Sequence, residues 1–304
     1  MISVVIPLYN KERQIAHTLR SALEQSFGDF EILIVNDGST DHSVEEVLKI
    51  QDSRIQLIHQ ENAGVSAARN RGIEQARFDL IAFLDADDRW DQDYLKTQYE
   101  LSRKYSQCDV FACNYEFVHA DGSVHPTIIR KLSFSGQDGL LDNYFEVASC
   151  SHPPMCSSAV MIRKTALQQI GGFPVGIRSG EDLLTWAKLA CYYSIAFNKK
   201  SVAQYILETS SSGAPPADIK SVHDAVSINL RELFEHYKND HRYCDMMKYL
   251  AFWYKMRSRI NLSLGNRKAA MCCAMASLKC SLGIKPVIFL MLAICPKAII
   301  NRVV

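Results

Sequence analysis

Three carboxylates, Asp85, Asp87 and Asp88, fall within four residues at the end of an apolar run, Leu80-Ile81-Ala82-Phe83-Leu84. Like charges packed so closely repel unless a cation or a cluster of donors compensates them. In open α/β sheets the carboxyl ends of strands are where ligands bind. If the chain stays extended, Asp85 and Asp87 point the same way, two residues apart. They would then offer hard oxygen ligands to Mg²⁺ or Mn²⁺, which complete their shells with water and substrate phosphates. Capping of the following helix would need only one Asp. A second pair, Glu181-Asp182, sits in the first turn of a helix-like pattern, where carboxylates also complement the helix dipole.

Strands and helices must alternate to bring such groups together. Ile2–Ile6 reads as a buried strand ended by Pro7, and a helix opened by Tyr9-Asn10-Lys11-Glu12 runs to about Gln25. Glu12 then falls in a helix first turn. Ile32–Val35 is a second strand, terminated by Asn36-Asp37-Gly38-Ser39-Thr40-Asp41. Ile55–His59 is a third, leading through Asn62-Ala63-Gly64 to a helix with Val65, Ala68, Arg69, Gly72 and Ile73 on one face. Arg69 on an apolar face must have a partner, either a carboxylate or a bound anion. Units of about 25–30 residues argue for parallel pairing with right-handed crossovers.

These segments resemble, in order, the motifs of the large inverting family 2 of nucleotide-sugar-dependent glycosyltransferases with the GT-A fold. Val5-Ile6-Pro7-Leu8-Tyr9-Asn10 is similar to its first-strand signature and Val35–Asp41 to its second. Asn62–Asn70 is similar to its third, and Leu84-Asp85-Ala86-Asp87-Asp88 to its D-x-D. The resemblance implies that Pro7, Tyr9, Asp37 and Arg69 lie around uracil, ribose and diphosphate, with Glu12, Asp85 and Ala86 in the same donor-binding set. It implies Asp85 and Asp87 as ligands of Mg²⁺ or Mn²⁺. A carboxylate such as Asp37 can accept from the uracil imide N–H.

Further along, residues 91–105 read as a helix and Val110–Val118 as a strand, with an Asp121-Gly122 turn before Val124–Ile129. Residues 130–155 carry few signals; the family often has a mobile acceptor-side loop there. Ser157–Ile162 reads as a strand and Lys164–Ile170 as a short helix. Gly172-Phe173 followed by Glu181-Asp182 resembles the family's catalytic segment, which implies Asp182 as general base and Glu181 as a positioning neighbour. The Q-x-x-R-W motif of processive polysaccharide synthases is missing, so a non-processive transferase is expected.

With 304 residues the chain can bury a full α/β core and carry an appendage. Its formal net charge of +1 argues against a dedicated nucleic-acid binder. The charge is unevenly spread: the first 245 residues sum to −9, and the remainder carries ten Lys and Arg and no acid. The ten cysteines show no zinc spacing and read as reduced core residues of a cytosolic protein. Met1–Pro7 enters a strand without a basic leader, so no signal peptide is expected. Tyr205–Glu208 and Ser210–Gly213 should close an α/β catalytic domain of residues 1–212, and the Ser/Gly/Pro run to Pro216 reads as a linker.

Residues 213–304 should be helical, with stripes over Val222–Tyr237, Tyr243–Leu264 and Arg267–Leu282. The nine apolar residues Val287–Cys295 are too short to span a bilayer. Flanked by Lys285, Lys297 and Arg302, they suit binding in the plane of an anionic membrane, on the inner face of the cytoplasmic membrane. Packing against the catalytic domain is the competing reading. The expectation is therefore a mainly parallel, twisted GT-A-like sheet flanked by helices, with a helical C-terminal extension. Its expected partners are a nucleotide-sugar donor, UDP-linked by the resemblance, and a glycan or lipid-linked saccharide acceptor, with no nucleic acid. A nucleotidyltransferase using the same metal cluster and a catalytically silent nucleotide-sugar-binding protein stay open beside it.

Overall fold

The computed structural model describes residues 1–207 and 219–295. The chain divides into two compact units: Met1–Tyr144 with Ser151–Ser211, and Phe145–Cys150 with Ser212–Val304. The expected linker through Pro216, and Lys297 and Arg302 of the tail, lie outside the described residues.

In the first unit the chain runs β1 (Ile2–Leu8), α1 (Ile15–Leu23), β2 (Phe30–Asp37), α2 (Ser43–Leu48), β3 (Ile55–Gln60), α3 (Val65–Gln75) and β4 (Leu80–Phe83). It continues β5 (Arg89–Trp90), α4 (Tyr94–Lys104), β6 (Val110–His119), β7 (Val124–Pro126) and β8 (Asp138–Leu140), followed by α5 (Tyr144–Cys150), which apart from Tyr144 belongs to the second unit. Last come β9 (Val160–Arg163), α6 (Lys164–Gln169), α7 (Glu181–Tyr192) and β10 (Ile195–Leu207). The strands form one sheet in the order β3-β2-β1-β4-β9-β6-β10-β5, with β7 on β6 and β8 on β10. Pairing is parallel from β3 to β4 and between β6 and β10. It is antiparallel where β9 enters between β4 and β6 and at the short strands β5, β7 and β8. The unit is thus α/β with a mixed sheet, parallel through the half that carries the first three motifs and again between β6 and β10.

Strands β1 and β2 are buried along their whole length, as their unbroken apolar sequences require. Strand β1 continues through Pro7 to Leu8 rather than stopping at Pro7. Its pairing with β4 ends at Val5 and Phe83, so the N–H that proline lacks has no partner on that side to lose. Helix α3 lies hard against β1: a Cβ on Gly72 would come within 2.3 Å of Val5 Cγ1. That close approach fixes the height of Arg69, one turn earlier, over the strand ends. Residues 130–155, poor in sequence signals, hold β8 and α5.

In the second unit, α8 (Ala225–Glu235), α9 (Tyr243–Ser263), α10 (Arg267–Cys280) and α11 (Ile284–Ile294) pack together. Asp224 caps α8 through Ser227 N–H at 3.1 Å and is buried with Arg257, 3.2 Å away, and Trp253 Nε1. Helix α11 buries Leu292 and Ala293 with Leu262 and Ala270. The cysteines are mixed: Cys108, Cys113, Cys191 and Cys273 are buried, whereas Cys150, Cys244 and Cys272 are exposed.

Candidate active site

The first-unit strand ends open onto a cleft of about 910 Å³. Of the residues expected to bind a donor, Pro7, Tyr9, Asp37 and Arg69 line it, as do Asp85, Ala86 and Asp87. Glu181 lines it as well. Lys11, Arg178 and Tyr205 also face the cleft and had no role in the sequence reading.

Arg69 is the hub. Its side chain is 4% exposed, with Nη2 donating to Asp85 Oδ1 at 2.7 Å and Nη1 lying 3.5 Å from Glu181 Oε1. The guanidinium stands 5.1 Å over the ring of Phe173. Phe173 in turn meets Phe83 and Trp186 edge to face. Its backbone is held by Asn70, which accepts from Phe173 N–H and donates to Phe173 O, both at 2.8 Å. The Gly-Phe turn is therefore a platform that holds the arginine in place. Two buried N–H groups of Arg69, Nε and Nη1, have no hydrogen-bond acceptor among the described residues. Donors buried without an acceptor at the wall of a cleft are suited to an anionic ligand.

Asp37 is 3% exposed and its two oxygens already accept three hydrogen bonds. Oδ1 takes Gln60 Nε2 at 2.7 Å and Ala63 N–H at 2.9 Å, and Oδ2 takes Gly64 N–H at 2.9 Å. A carboxylate has about four acceptor sites, so one is left for a ligand. Gly64 holds φ at +90°, a left-handed conformation natural to glycine, and so turns its N–H toward Asp37. The second and third motifs are thereby tied into one wall.

The acidic triplet is not extended. Strand β4 stops at Phe83, and Asp88 N–H bonds Asp85 O at 3.0 Å, closing a turn. Asp85 consequently faces Arg69, while Asp87 Oδ2 meets Lys11 Nζ at 2.5 Å. Asp88 turns inward: it is 2% exposed and accepts from Ser158 Oγ–H and, at 3.0 Å, from Ile206 N–H. Burial, with Asp85 and Asp87 adding repulsion, pushes its carboxyl well above the usual range. Asp88 is a tie between segments rather than a cleft group.

One expected residue lies elsewhere. Glu12 does not line the cleft. The chain makes a turn there and α1 begins only at Ile15, so Glu12 instead accepts from His42 N–H at 3.1 Å before α2. It borders a separate depression with His42, Glu45 and Glu46. Asp182 follows Glu181 in the first turn of α7 without lining the cleft itself, and its Oδ1 accepts from Leu183 N–H at 2.7 Å. Burial raises its pKa, with Arg69 pulling the other way. Burial, with Asp182 reinforcing it, raises Glu181 to about 7 against the pull of Arg69.

No group of three or more His, Cys, Asp and Glu among the described residues could hold a metal ion unaided. Asp85 and Asp87 nevertheless present two hard carboxylates to the cleft. Mg²⁺ or Mn²⁺ typically takes one or two carboxylates and completes its shell with waters and phosphate oxygens. The donor set fits such an ion only together with a diphosphate.

A parallel half-sheet whose strand ends carry Asp37 and an Asp-x-Asp turn, with Arg69 brought between them by α3, is the plan of a GT-A-like glycosyltransferase. The family model for "Glycosyl transferase family 2" matches residues 3–171, and the chain belongs to that family. An uncharacterized glycosyltransferase of Rickettsia conorii is 35% identical over 210 residues, 67% of this chain and 32% of that protein. TuaG of Bacillus subtilis, a glycosyltransferase assigned to teichuronic acid biosynthesis, is 34% identical over 193 residues, 62% of this chain and 71% of its own length. The chain spans between 26% and 32% of the length of the Rickettsia relatives it matches. Among solved structures, residues 1–349 of Staphylococcus aureus TarS, crystallised with UDP-GlcNAc, share the fold with a TM-score of 0.70. Identity there is 19%, and the match covers 92% of this chain and 81% of that one.

Proposed function

We propose that this chain moves a sugar from a nucleoside diphosphate sugar, UDP being the expected nucleotide, to an acceptor hydroxyl during synthesis of a cell-surface glycan. The carrying observation is Arg69, buried at the cleft wall between the Asp-x-Asp turn and Glu181-Asp182, with two N–H groups lacking an acceptor. A diphosphate supplies those acceptors. The UDP-GlcNAc in the TarS crystal and the pathway assigned to TuaG support the same donor class and setting.

In this reading Asp182 takes the acceptor proton as the acceptor oxygen attacks the anomeric carbon. The bond to the diphosphate oxygen breaks on the opposite side, so the configuration inverts. Arg69 and Lys11 face the negative charge that accumulates on the departing diphosphate. Burial of Asp182 raises its basicity, which suits a proton acceptor. Glu181 and Phe173 act by holding Arg69. A Mg²⁺ or Mn²⁺ ion held by Asp85 and Asp87 would supply Lewis-acid stabilisation of the leaving diphosphate.

The acceptor is read as a lipid-linked saccharide, met at the inner face of the cytoplasmic membrane. Support comes from the second unit. Ile284, Ile288, Met291 and Ile294 recur at helical spacing on α11 and are exposed, Ile294 at 73%. Leu282, 90% exposed, extends the stripe, and Lys285 is exposed beside it. No helix among the described residues is long and apolar enough to cross a membrane. An apolar stripe in an acid-free, basic segment suits an anionic lipid surface.

Mass spectrometry of products from a panel of nucleotide sugars, with lipid-linked acceptors added, tests the reading. A nucleoside diphosphate and a glycosylated acceptor are expected. Pyrophosphate release would point to a nucleotidyltransferase instead, and donor binding with no product to a silent binding protein.

A further inference from the structure

Each carboxylate of the Asp-x-Asp turn faces a side-chain cation. Asp85 is held by Arg69, which is buried and fixed by Phe173, Asp85 and Glu181. Asp87 is held by Lys11. The two cations differ in freedom. Arg69 is 4% exposed, whereas Lys11 and Asp87 keep 29% and 27% of their side chains exposed. The backbone of Lys11 is pinned, its N–H donating to Ser43 Oγ at 2.7 Å, while the four-carbon stem beyond it can swing. Its ammonium is a point charge at the end of a flexible stem on a fixed base.

We propose that Lys11 is a built-in counter-cation that pairs with Asp87 until a donor enters and then passes to the diphosphate, freeing Asp87 for a divalent ion. The inference rests on the reading of the cleft as a nucleotide-diphosphate site. Lys11 is the cation in contact with Asp87, which otherwise lies beside the like charges of Asp85 and the buried Asp88. The lysine therefore suppresses metal binding until a diphosphate arrives, and metal and donor bind as a coupled pair.

The test uses the full chain and two binding measurements. Free Mn²⁺ is followed by electron paramagnetic resonance with no nucleotide present, and UDP and uridine are titrated calorimetrically in EDTA. Relative to wild type, Lys11→Met should bind Mn²⁺ roughly fivefold more tightly, about the weight of a half-exposed ion pair. It should bind UDP roughly fivefold more weakly and leave uridine unchanged, because only the diphosphate meets the lysine. Lys11→Arg, which keeps the charge, should retain the preference for UDP over uridine. An unchanged UDP-to-uridine ratio together with unchanged Mn²⁺ affinity in Lys11→Met would overturn the proposal. If neither protein binds Mn²⁺ yet the ratio falls, the metal reading fails and the role of Lys11 stands. If wild type binds neither nucleotide, the donor reading fails. The Mn²⁺ arm then decides alone whether Lys11 guards Asp87, and equal affinities overturn it.

Discussion

Arg69→Met removes the charge at the centre of the cleft while keeping much of the side chain's bulk. Asp85 loses a 2.7 Å hydrogen bond and Glu181 its nearest cation, and Asp182 loses the attraction that offsets its burial. Breaking a buried pair by removing one partner typically costs about 3–5 kcal/mol, a large share of the roughly 5–15 kcal/mol that stabilises a domain. With a urea slope near 2 kcal/mol/M, the midpoint for the first unit should fall by roughly 2 M. Trp90 and Trp186 belong to that unit and Trp253 to the other, so fluorescence in a Trp253→Phe background reports on it.

The loss should also depend on pH. Burial raises Glu181 to about 7 and also raises Asp182, and Arg69 restrains both. A carboxyl whose pKa is higher folded than unfolded contributes stability below its unfolded pKa and loses it as pH rises through the folded value. Without Arg69 both folded values rise further. The variant should therefore come closer to wild type near pH 5 and fall furthest behind near pH 8. A loss under about 1 kcal/mol, or one equal at both pH values, would refute the account of Arg69 as the charge that permits three carboxylates to share one wall.

Asp182→Asn should leave donor affinity nearly intact and lower turnover by roughly 10²–10⁴-fold, as steady-state kinetics beside calorimetry would show; a loss confined to donor affinity would remove Asp182 from the base role. UDP binding should weaken in EDTA relative to Mn²⁺, and Asp87→Asn should erase the difference; equal affinity in both conditions would remove the metal. Gly72→Ala drives a methyl to 2.3 Å from Val5 Cγ1 and should destabilise the first unit by roughly 1–3 kcal/mol in urea melts, with loss of UDP affinity as Arg69 shifts. The full-length chain should sediment with anionic but not neutral vesicles, less so in high salt, and truncation after Gly283 should abolish it. Sedimentation that ignores lipid charge would leave the α11 stripe to another occupant.

The strand ends were legible because burial writes itself into runs such as Ile2–Ile6 and Ile32–Val35, and because the motifs sit where those runs stop. The partner of Arg69 was legible for the same reason: a charge on an apolar face demands one. What stayed hidden was local turn geometry. The Asp88 N–H bond to Asp85 O separates carboxylates that look adjacent, sending one to Arg69, one to Lys11 and one into the core. Glu12 lies outside the cleft lining because the turn before Ile15 delays α1 and gives Glu12 to the start of α2. Lys11 carried no pattern of its own, since a lone lysine after a strand is ordinary until its partner is located. Asn70 was quoted within a motif, yet its bonds to Phe173 cross more than a hundred residues. Strands β8 and β5 are two or three residues long and owe their form to neighbours rather than to their own sequence.

The central claim is that the cleft cleaves a nucleotide sugar between the sugar and the diphosphate, with Asp182 as base. Its most direct measurement is nucleoside diphosphate release from a nucleotide-sugar panel with Mn²⁺ and lipid-linked acceptors, wild type against Asp182→Asn. The account predicts release of a nucleoside diphosphate matched by acceptor glycosylation of opposite anomeric configuration, at least roughly a hundredfold slower in the variant. Release of pyrophosphate, retention of configuration, or equal rates in the two proteins would contradict it.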